Sequence, residues 1–545
     1  MPRGWSKDAP PVTLLREMVR REAAPEPVAP TRVLRLWLVH ALVLVALVAA
    51  TGCFGERHPE VLVIVNSESP TSLAIGRYYA ELRGVPAGNV VELAISLDDP
   101  TLADAAQETV SAEQYHELLR EPIERYLEEY DLRDTIEIIV TTKGIPLRID
   151  GKTATMEHWL NVTTQAAVDA ELSLLFSDAA GSAGISQSIN PYFDARVSFG
   201  TFREENPDSP LRYMVARLTG YANEFDRETQ LPVDVKRLID GANGPAIVPG
   251  DATWLVDEDP SRGPGHAIAN RIWLEATASI LSAMKLPVTH DRENEFVSDR
   301  ATIVGYTSWG SNDGNDAGKP YYGEIDGDLY PGTFGPRSIA VDLVSTGGRT
   351  FTHPPKYGQS LTADLVHLGA SGATGHVYEP ALSGVPRPHI LLPTYASGVR
   401  AVEAFYRSIP YLGWMNIYVG DPLMTTPVPR IRPEGDRDRD GVPDENDNCT
   451  EVPNPEQRDT NADGFGNLCD PDVDGDGLVT TSWGEIYPLT RRGDVEWIAM
   501  SSQNGPYDPN FDLDGDGDVD GDDITIAHMT LFMPPGPSGQ AETRR

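Results

Sequence analysis

Residues Asp512–Asp523 read DLDGDGDVDGDD, with aspartate at every odd position and at the twelfth. Two carboxylates at ~4 Å repel by roughly 1 kcal/mol in water and about 4 kcal/mol near a protein surface, so such a stretch resists closing on itself. A divalent cation reverses the sign. Calcium takes about six to eight oxygens, which a twelve-residue loop supplies from positions 1, 3, 5, 7, 9 and 12, with glycine turning the chain at 6. Here Asp512, Asp514, Asp516, the Asp518 carbonyl, Asp520 and Asp523 fall on the ligand positions, and Gly517 on the turn.

The same spacing recurs upstream. One loop offers Asp436, Asp438, Asp440, the Val442 carbonyl, Asp444 and Asp447; the next offers Asp459, Asn461, Asp463, the Phe465 carbonyl, Asn467 and Asp470. A further loop has Asp472, Asp474, Asp476 and Thr480, but Trp483 stands at its twelfth position. That loop is expected to be weak or irregular unless Glu485 reaches back. Residues 435–523 carry 25 Asp and Glu against 5 Lys and Arg, about half of the chain's net charge of −38. Such a charge repels nucleic acid, which is excluded as a partner. Calcium is the expected cofactor.

The stretch DRDGVPDENDNCTEVPNPEQRDTNADGFGNLCD resembles a thrombospondin type 3 repeat over residues 436–471. The resemblance implies that calcium replaces a hydrophobic core and that Cys449 and Cys469 form a disulfide. Residues 472–533, ending in a calcium loop and ITIAHMTLF, are similar to a dockerin, whose partner would be a cohesin-like surface protein. The plainer alternative is a calcium-stiffened stalk or adhesion module.

At the other end, Arg32 and Arg35 precede the apolar run LWLVHALVLVALVAA, followed by Thr51, Gly52 and Cys53. A basic flank, a short apolar core and small residues at the cut describe a signal peptide over residues 1–52. The ending resembles a bacterial lipoprotein signal, which implies lipidation at Cys53. Phe54 after it favours the outer membrane or cell surface, with a membrane reached through the lipid and residues 53–60 as tether. A retained transmembrane anchor or an ordinary cleaved signal are the alternatives, and Met18 is an alternative start.

Residues 61–426 alternate between apolar runs (61–65, 136–140, 301–306, 339–344) and helical stretches (72–83, 112–129, 267–284, 358–369, 394–408). This predicts an α/β domain with a mostly parallel sheet covered by helices on both faces. Residues 314–336 read as a long loop, 427–435 as a Pro-rich linker and 534–545 as a disordered tail. Polar segments follow the apolar runs: NSES (66–69), TTKG (141–144), TSWGSNDG (307–314), STGGR (345–349) and GDP (420–422). Ligands of open parallel sheets bind outside the carboxyl ends of the strands, although each segment also suits an ordinary strand-to-helix turn.

The stretches VLVIVNSESPTSLAIGRYYAELRGVPAGNVV, IVTTKGIPLRI, IVGYTSWGSNDG, VSTGGRTF and LTADLVHLGASGATGHVYEP resemble a bacterial family found in species carrying exosortase, a protein-sorting membrane enzyme. That family carries no established activity. A further likeness is to the gingipain-type cysteine peptidases, which have a caspase-like fold. It puts Trp309 where the catalytic histidine would be and Ser345 or Thr346 where the cysteine would be. Residues 54–448 contain no cysteine, so cysteine-peptidase machinery is absent or replaced.

Two function classes follow for the body. One is a non-catalytic binding module whose cleft uses Trp309, Ser311, Asp313, Arg349, Glu379 and Asp421. The other is a hydrolase with Ser345 as nucleophile, His376 as base (His353 and His367 being the other nearby histidines) and Asp313 as carboxylate. Assembly or adhesion through the calcium region is a third reading.

Overall fold

Val61–Asn66 is buried along its whole length on both faces, which is why it reads VLVIV rather than alternating with polar residues. It is strand β1 of the large sheet in the computed structural model. The model describes residues 57–96, 108–151, 153–154, 162–163, 165–177, 188–245, 252–260, 268–311, 321–355, 358–426, 435–438, 440–481, 493–504, 507–531 and 533–540. The signal segment, Cys53, Asp313, Trp483, Glu485 and residues 427–434 of the linker lie outside the described residues.

The remaining strands of this sheet are β2 (Val90–Leu93), β3 (Ile138–Thr142), β4 (Met214–Leu218), β5 (Thr253–Asp257), β6 (Val288–Asp291), β7 (Arg300–Ser308), β8 (Gly332–Asp342), β9 (Gly372–His376) and β10 (Asn416–Gly420). Their spatial order is β6-β5-β7-β8-β9-β10-β4-β3-β1-β2. Pairing is parallel except that β10 runs antiparallel to β9, with His376 opposite Asn416. A single bridge, Arg217 to Val419, joins β4 to β10. The sheet is therefore two halves side by side. Each half has its first strand flanked by its second on one side and its third and fourth on the other.

Helices cover both faces. Helix α1 (Pro70–Leu82) starts at Ser69, whose hydroxyl caps the Ser72 amide, with Pro70 in the first turn. These are the start signals of a helix. α1 places Ile75 and Tyr79 against Val61, Val63 and Val65. α2 (Glu121–Glu129) places Ile123 and Leu127 in the core on the opposite face, with Leu62 and Ile64. Further helices of the body include α3 (Val233–Ala242), α4 (Ala276–Ala283), α5 (Thr362–His367), α6 (Pro388–Ala396) and α7 (Ala401–Ser408).

Several expectations are corrected. The helix expected over 394–408 is two, broken where Gly398 takes φ +94°. Within the loop expected over 314–336, Gly323–Ile325 pairs antiparallel with Asp328–Tyr330, and β8 begins at Gly332. The helix expected over 358–369 shortens to α5.

Arg57–Arg545 form one compact unit, and the acidic region is packed onto the body rather than held away from it. Helices α8 (Asp494–Asn504) and α9 (Gly521–Met529) bury Ile498, Ile526 and Met529 in the same apolar cluster as the body. The carboxyl-terminal stretch is pinned as far as Gln540. Gly536 donates to Cys469, the Pro537 carbonyl accepts from Thr450, and the Ser538 hydroxyl donates to Gly464. Among the described residues no helix is long and apolar enough to cross a membrane.

Candidate functional site: the acidic loops and the sheet edge

The four acidic loops share one backbone path. Gly441, Gly464, Gly477 and Gly517, each at position 6, take φ between +93° and +103°, a region glycine enters without cost. In every loop the amide at position 5 donates to the side chain at position 3, at 3.1–3.2 Å: Asp440 to Asp438, Asp463 to Asn461, Asp476 to Asp474, Asp516 to Asp514. The amide at position 7 then donates to the carboxylate at position 5. These turns gather the odd-numbered side chains around one point. Carboxylate oxygens of Asp436, Asp438 and Asp440 lie within 4.8 Å of one another, as do those of Asp512, Asp514 and Asp516.

A third such cluster is Asp472, Asp474 and Asp494. Asp494 opens α8 and is fully buried. Its carboxylate accepts from the Asp474 amide and from both the amide and hydroxyl of Thr480. Asp523 stands in the same relation to its own loop, accepting from the Leu513, Asp514 and Asp520 amides. Asp494 is thus the twelfth-position residue of the third loop, displaced in sequence by an insertion after Thr481. The spacing rule stopped at Trp483 and missed it. The available signal was an aspartate in the first turn of an apolar helical stretch, as Asp523 is before Ile524.

The electrostatics suit a cation. Asp438 and Asp447 are 1% and 0% exposed, yet one carboxylate oxygen of each has no hydrogen-bond partner, and the same holds for one oxygen of Asp436 and of Asp459. Burial, then repulsion from Asp447 and Asp440, pushes the Asp438 carboxyl up to about 8. Burial, with Asp463 and Asp472 beside it, raises Asp470 to about 8. Burial likewise lifts Asp523 to about 6. Asp512 goes the other way. Burial would raise it, but the Tyr507 hydroxyl and the Arg458 guanidinium at 3.0 Å outweigh that and hold it below the usual carboxylate range. A buried carboxylate oxygen without a donor is costly unless a cation meets it, so these residues fit calcium. Asn467 is spoken for differently: its side-chain amide donates to Thr460 and Pro509. Cys449 and Cys469 form a disulfide with Cα atoms 5.8 Å apart, joining the first two loops.

On the body, Ser308 of β7 pairs with Asp342 of β8, so Trp309 and the Ser345–Gly348 turn follow neighbouring strands at the carboxyl edge. Trp309 is 3% exposed, and its indole N–H donates to Asn270 Oδ1 at 2.5 Å. Ser311 is buried too, its amide bonded to the Ser360 hydroxyl. His376 ends β9, fully buried. Its Nδ1 donates to the Val344 carbonyl at 2.8 Å, and its Nε2 has no partner. Burial, against the opposing pull of that carbonyl, lowers His376 to about 4. No hydrogen bond joins Ser345 to His376 among the described residues. The Arg349 guanidinium donates to the Thr346 and Gln359 carbonyls, and Glu379 is exposed, accepting from the Ala381 amide. His367 pairs with Asp234 at 3.0 Å.

Asp421 lies apart from this group. It follows β10, which runs antiparallel to β9, so it emerges at the other edge of the sheet. There it pairs with Arg83 and accepts from Tyr79. Trp309, Ser311, Ser345, Arg349 and His376 are brought to one edge; Asp421 is not.

Residues 434–457 and 458–480 match the family model of the thrombospondin type 3 repeat. The same region is similar to cartilage oligomeric matrix protein: 44% identical over 69 residues to the Mus musculus protein, 48% over 54 to that of Bos taurus and 49% over 53 to that of Homo sapiens. These matches cover 8–11% of this chain and 7–9% of those proteins, so the chain spans under a tenth of the relatives it matches. No solved structure matches. Such repeats are calcium-binding modules of extracellular-type proteins, and residues 434–480 of this chain are thrombospondin type 3 repeats.

Proposed function

We propose that this is an exported calcium-binding surface protein whose acidic region is a calcium-dependent clamp on a non-catalytic binding body. The observation that carries the calcium reading is the set of buried, donorless carboxylate oxygens on Asp436, Asp438, Asp447 and Asp459. Calcium would be held by the odd-position carboxylates of each loop, with Asp447, Asp470, Asp494 and Asp523 closing the four sites. Bound calcium supplies the positive charge that lets these carboxylates approach, so the clamp orders only when loaded. Anchoring through a lipid on Cys53 remains part of the proposal and rests on the sequence alone.

Two adjacent loop–helix units, ending in α8 and α9, support the dockerin likeness of residues 472–533. The apolar face of α9 is buried with the body, which favours an internal docking role over a cohesin-like partner. For the body, the order β6-β5-β7-β8-β9-β10, second-first-third-fourth-fifth-sixth, supports a caspase-like ancestry. Trp309 is engaged with Asn270 and His376 is buried and neutral, which favours binding over hydrolysis. The test is calorimetric titration of the chelator-stripped protein with calcium, followed by circular dichroism and proteolysis. Tight uptake of about four ions with gain of protease resistance is expected; no uptake, or indifference of the fold to chelator, overturns the reading.

A further inference from the structure

The carboxyl edge of the first half of the sheet holds a cavity of about 520 Å³. Its place follows from the connectivity. The chain leaves β1 for β2 on one side, with α1 on one face, and returns to β3 on the other side, with α2 on the opposite face. The loops after β1 and β3 therefore diverge, and open α/β sheets take their ligands where the order reverses in this way. The cavity is lined from the β1 loop by Asn66 and Thr71 and from the β3 loop by Lys143 and Gly144. Gly144 takes φ +108°, and a Cβ there would meet the Ser69 hydroxyl at 2.8 Å. The close approach of the two loops thus needs glycine.

Thr219, immediately after β4, lines the same cavity and is 3% exposed. Its hydroxyl makes no hydrogen bond among the described residues, so it can donate to an occupant of the cavity. The Lys143 amine donates to the Phe351 carbonyl at 2.9 Å, which holds the ammonium at the cavity. Ser69 claims the Ser72 amide and Pro70 has none, so the Thr71 amide is the first unclaimed donor of a thirteen-residue helix. Helix starts of this kind favour anions. The lining also carries Arg217, Glu108 and, exposed at its rim, Glu68. Arg217 is held by both oxygens of Asp169, and the two oxygens of Glu108 accept from the Phe351 amide and the Thr350 hydroxyl.

We infer that this cavity binds a small oxyanion-bearing molecule, its anionic group held by Lys143, the Thr71 amide and the Thr219 hydroxyl. This site is separate from the calcium loops and from the Trp309–Ser345 edge, and it stands whether or not those bind anything. In each half the third and fourth strands end beside one another at the carboxyl edge. In the second half that place is filled by Trp309 and its partners, and in the first it is open.

The experiment is calorimetric titration of the calcium-loaded full chain with sulfate, for tetrahedral oxyanions, and with N-acetylglycine, for carboxylates. At least one should bind with millimolar or tighter affinity. Lys143→Gln should weaken it by about tenfold, and Thr219→Val by about three- to tenfold, with melting temperature unchanged. Lys236→Gln, on a surface helix elsewhere, should bind as wild type. The proposal is overturned if neither probe binds at about 20 mM, if Thr219→Val and Lys143→Gln bind as wild type, or if Lys236→Gln weakens binding equally. Should Lys143→Gln fail to fold, Thr219→Val alone decides.

Discussion

The Arg387 guanidinium and the Met529 carbonyl meet at 2.6 Å across 142 residues of sequence. Arg387 is 2% exposed, also donates to Val385 and Ser383, and lies 4.5 Å from the centroid of the Trp273 ring. Among the described residues no carboxylate pairs with it. Burial pulls its pKa down to about 9, with Tyr411 acting against that. Its countercharge is the carboxyl end of α9, where helix carbonyls concentrate negative potential. Tyr411 adds a second clasp, donating to the Leu531 carbonyl. The acidic loop that precedes α9 is thus coupled to the body through Arg387 and Tyr411.

Arg387→Met should therefore uncouple the two. Three carbonyls lose a donor, and a loss of about 2–4 kcal/mol is expected by urea denaturation. In the wild type, chelator should also lower the melting temperature of the body, because calcium binds only the folded clamp. In Arg387→Met that calcium dependence should shrink. Equal chelator shifts in both proteins would show that α9 is not the link.

Asp494→Ala should reduce the calcium stoichiometry by about one ion, since it removes the residue that closes the third loop. Trp483→Ala should leave the stoichiometry unchanged. Calorimetric titration of stripped protein checks both, and a full complement of ions in Asp494→Ala would remove Asp494 from the site.

Replacing Cys449 and Cys469 by serine should destabilise the clamp by roughly 3 kcal/mol on the chain-entropy model for a loop of about twenty residues. Calcium affinity of the first two loops should fall while that of the fourth is retained. Affinity measured in the reduced and oxidised wild type offers the same comparison.

Asp342 is fully buried, and burial raises its carboxyl to about 7, against opposing bonds from the Val344 amide and the Thr362 hydroxyl. Its folded pKa lies above the unfolded value of about 3.9, so the folded state binds the extra proton. That contribution is full below pH ~4, declines as pH rises to about 7 and is gone above it, up to roughly 4 kcal/mol in total. Asp342→Asn should flatten the stability profile between these limits relative to wild type. An unchanged slope would place the proton elsewhere.

Serine-directed activity probes should leave Ser345 unlabelled, and Ser345→Ala should be indistinguishable from wild type in a peptide-hydrolysis screen. His376 spends its Nδ1 proton on Val344 and, among the described residues, makes no bond to Ser345, so this histidine is not placed to activate the serine. Labelling that disappears in Ser345→Ala would establish a hydrolase.

The gathering of acidic side chains was legible in the sequence because it is local. Twelve residues at fixed spacing bring Asp512, Asp514, Asp516 and Asp523 together through their own turns, whatever the rest of the chain does. The fold class was legible for a related reason: β1, buried on both faces, must be continuously apolar. Asp494 was not legible, because an insertion separates it from Thr480 and only the packing of α8 returns it to the loop. Nor was the direction of β10, which sends Asp421 away from the edge that Trp309 and Ser345 share. Strand direction depends on sheet pairing, which a GDP turn does not encode. The cavity at β1, β3 and β4 is the clearest case. Thr71, Lys143 and Thr219 are ordinary residues far apart in the chain, and only the order of strands in the sheet makes them neighbours.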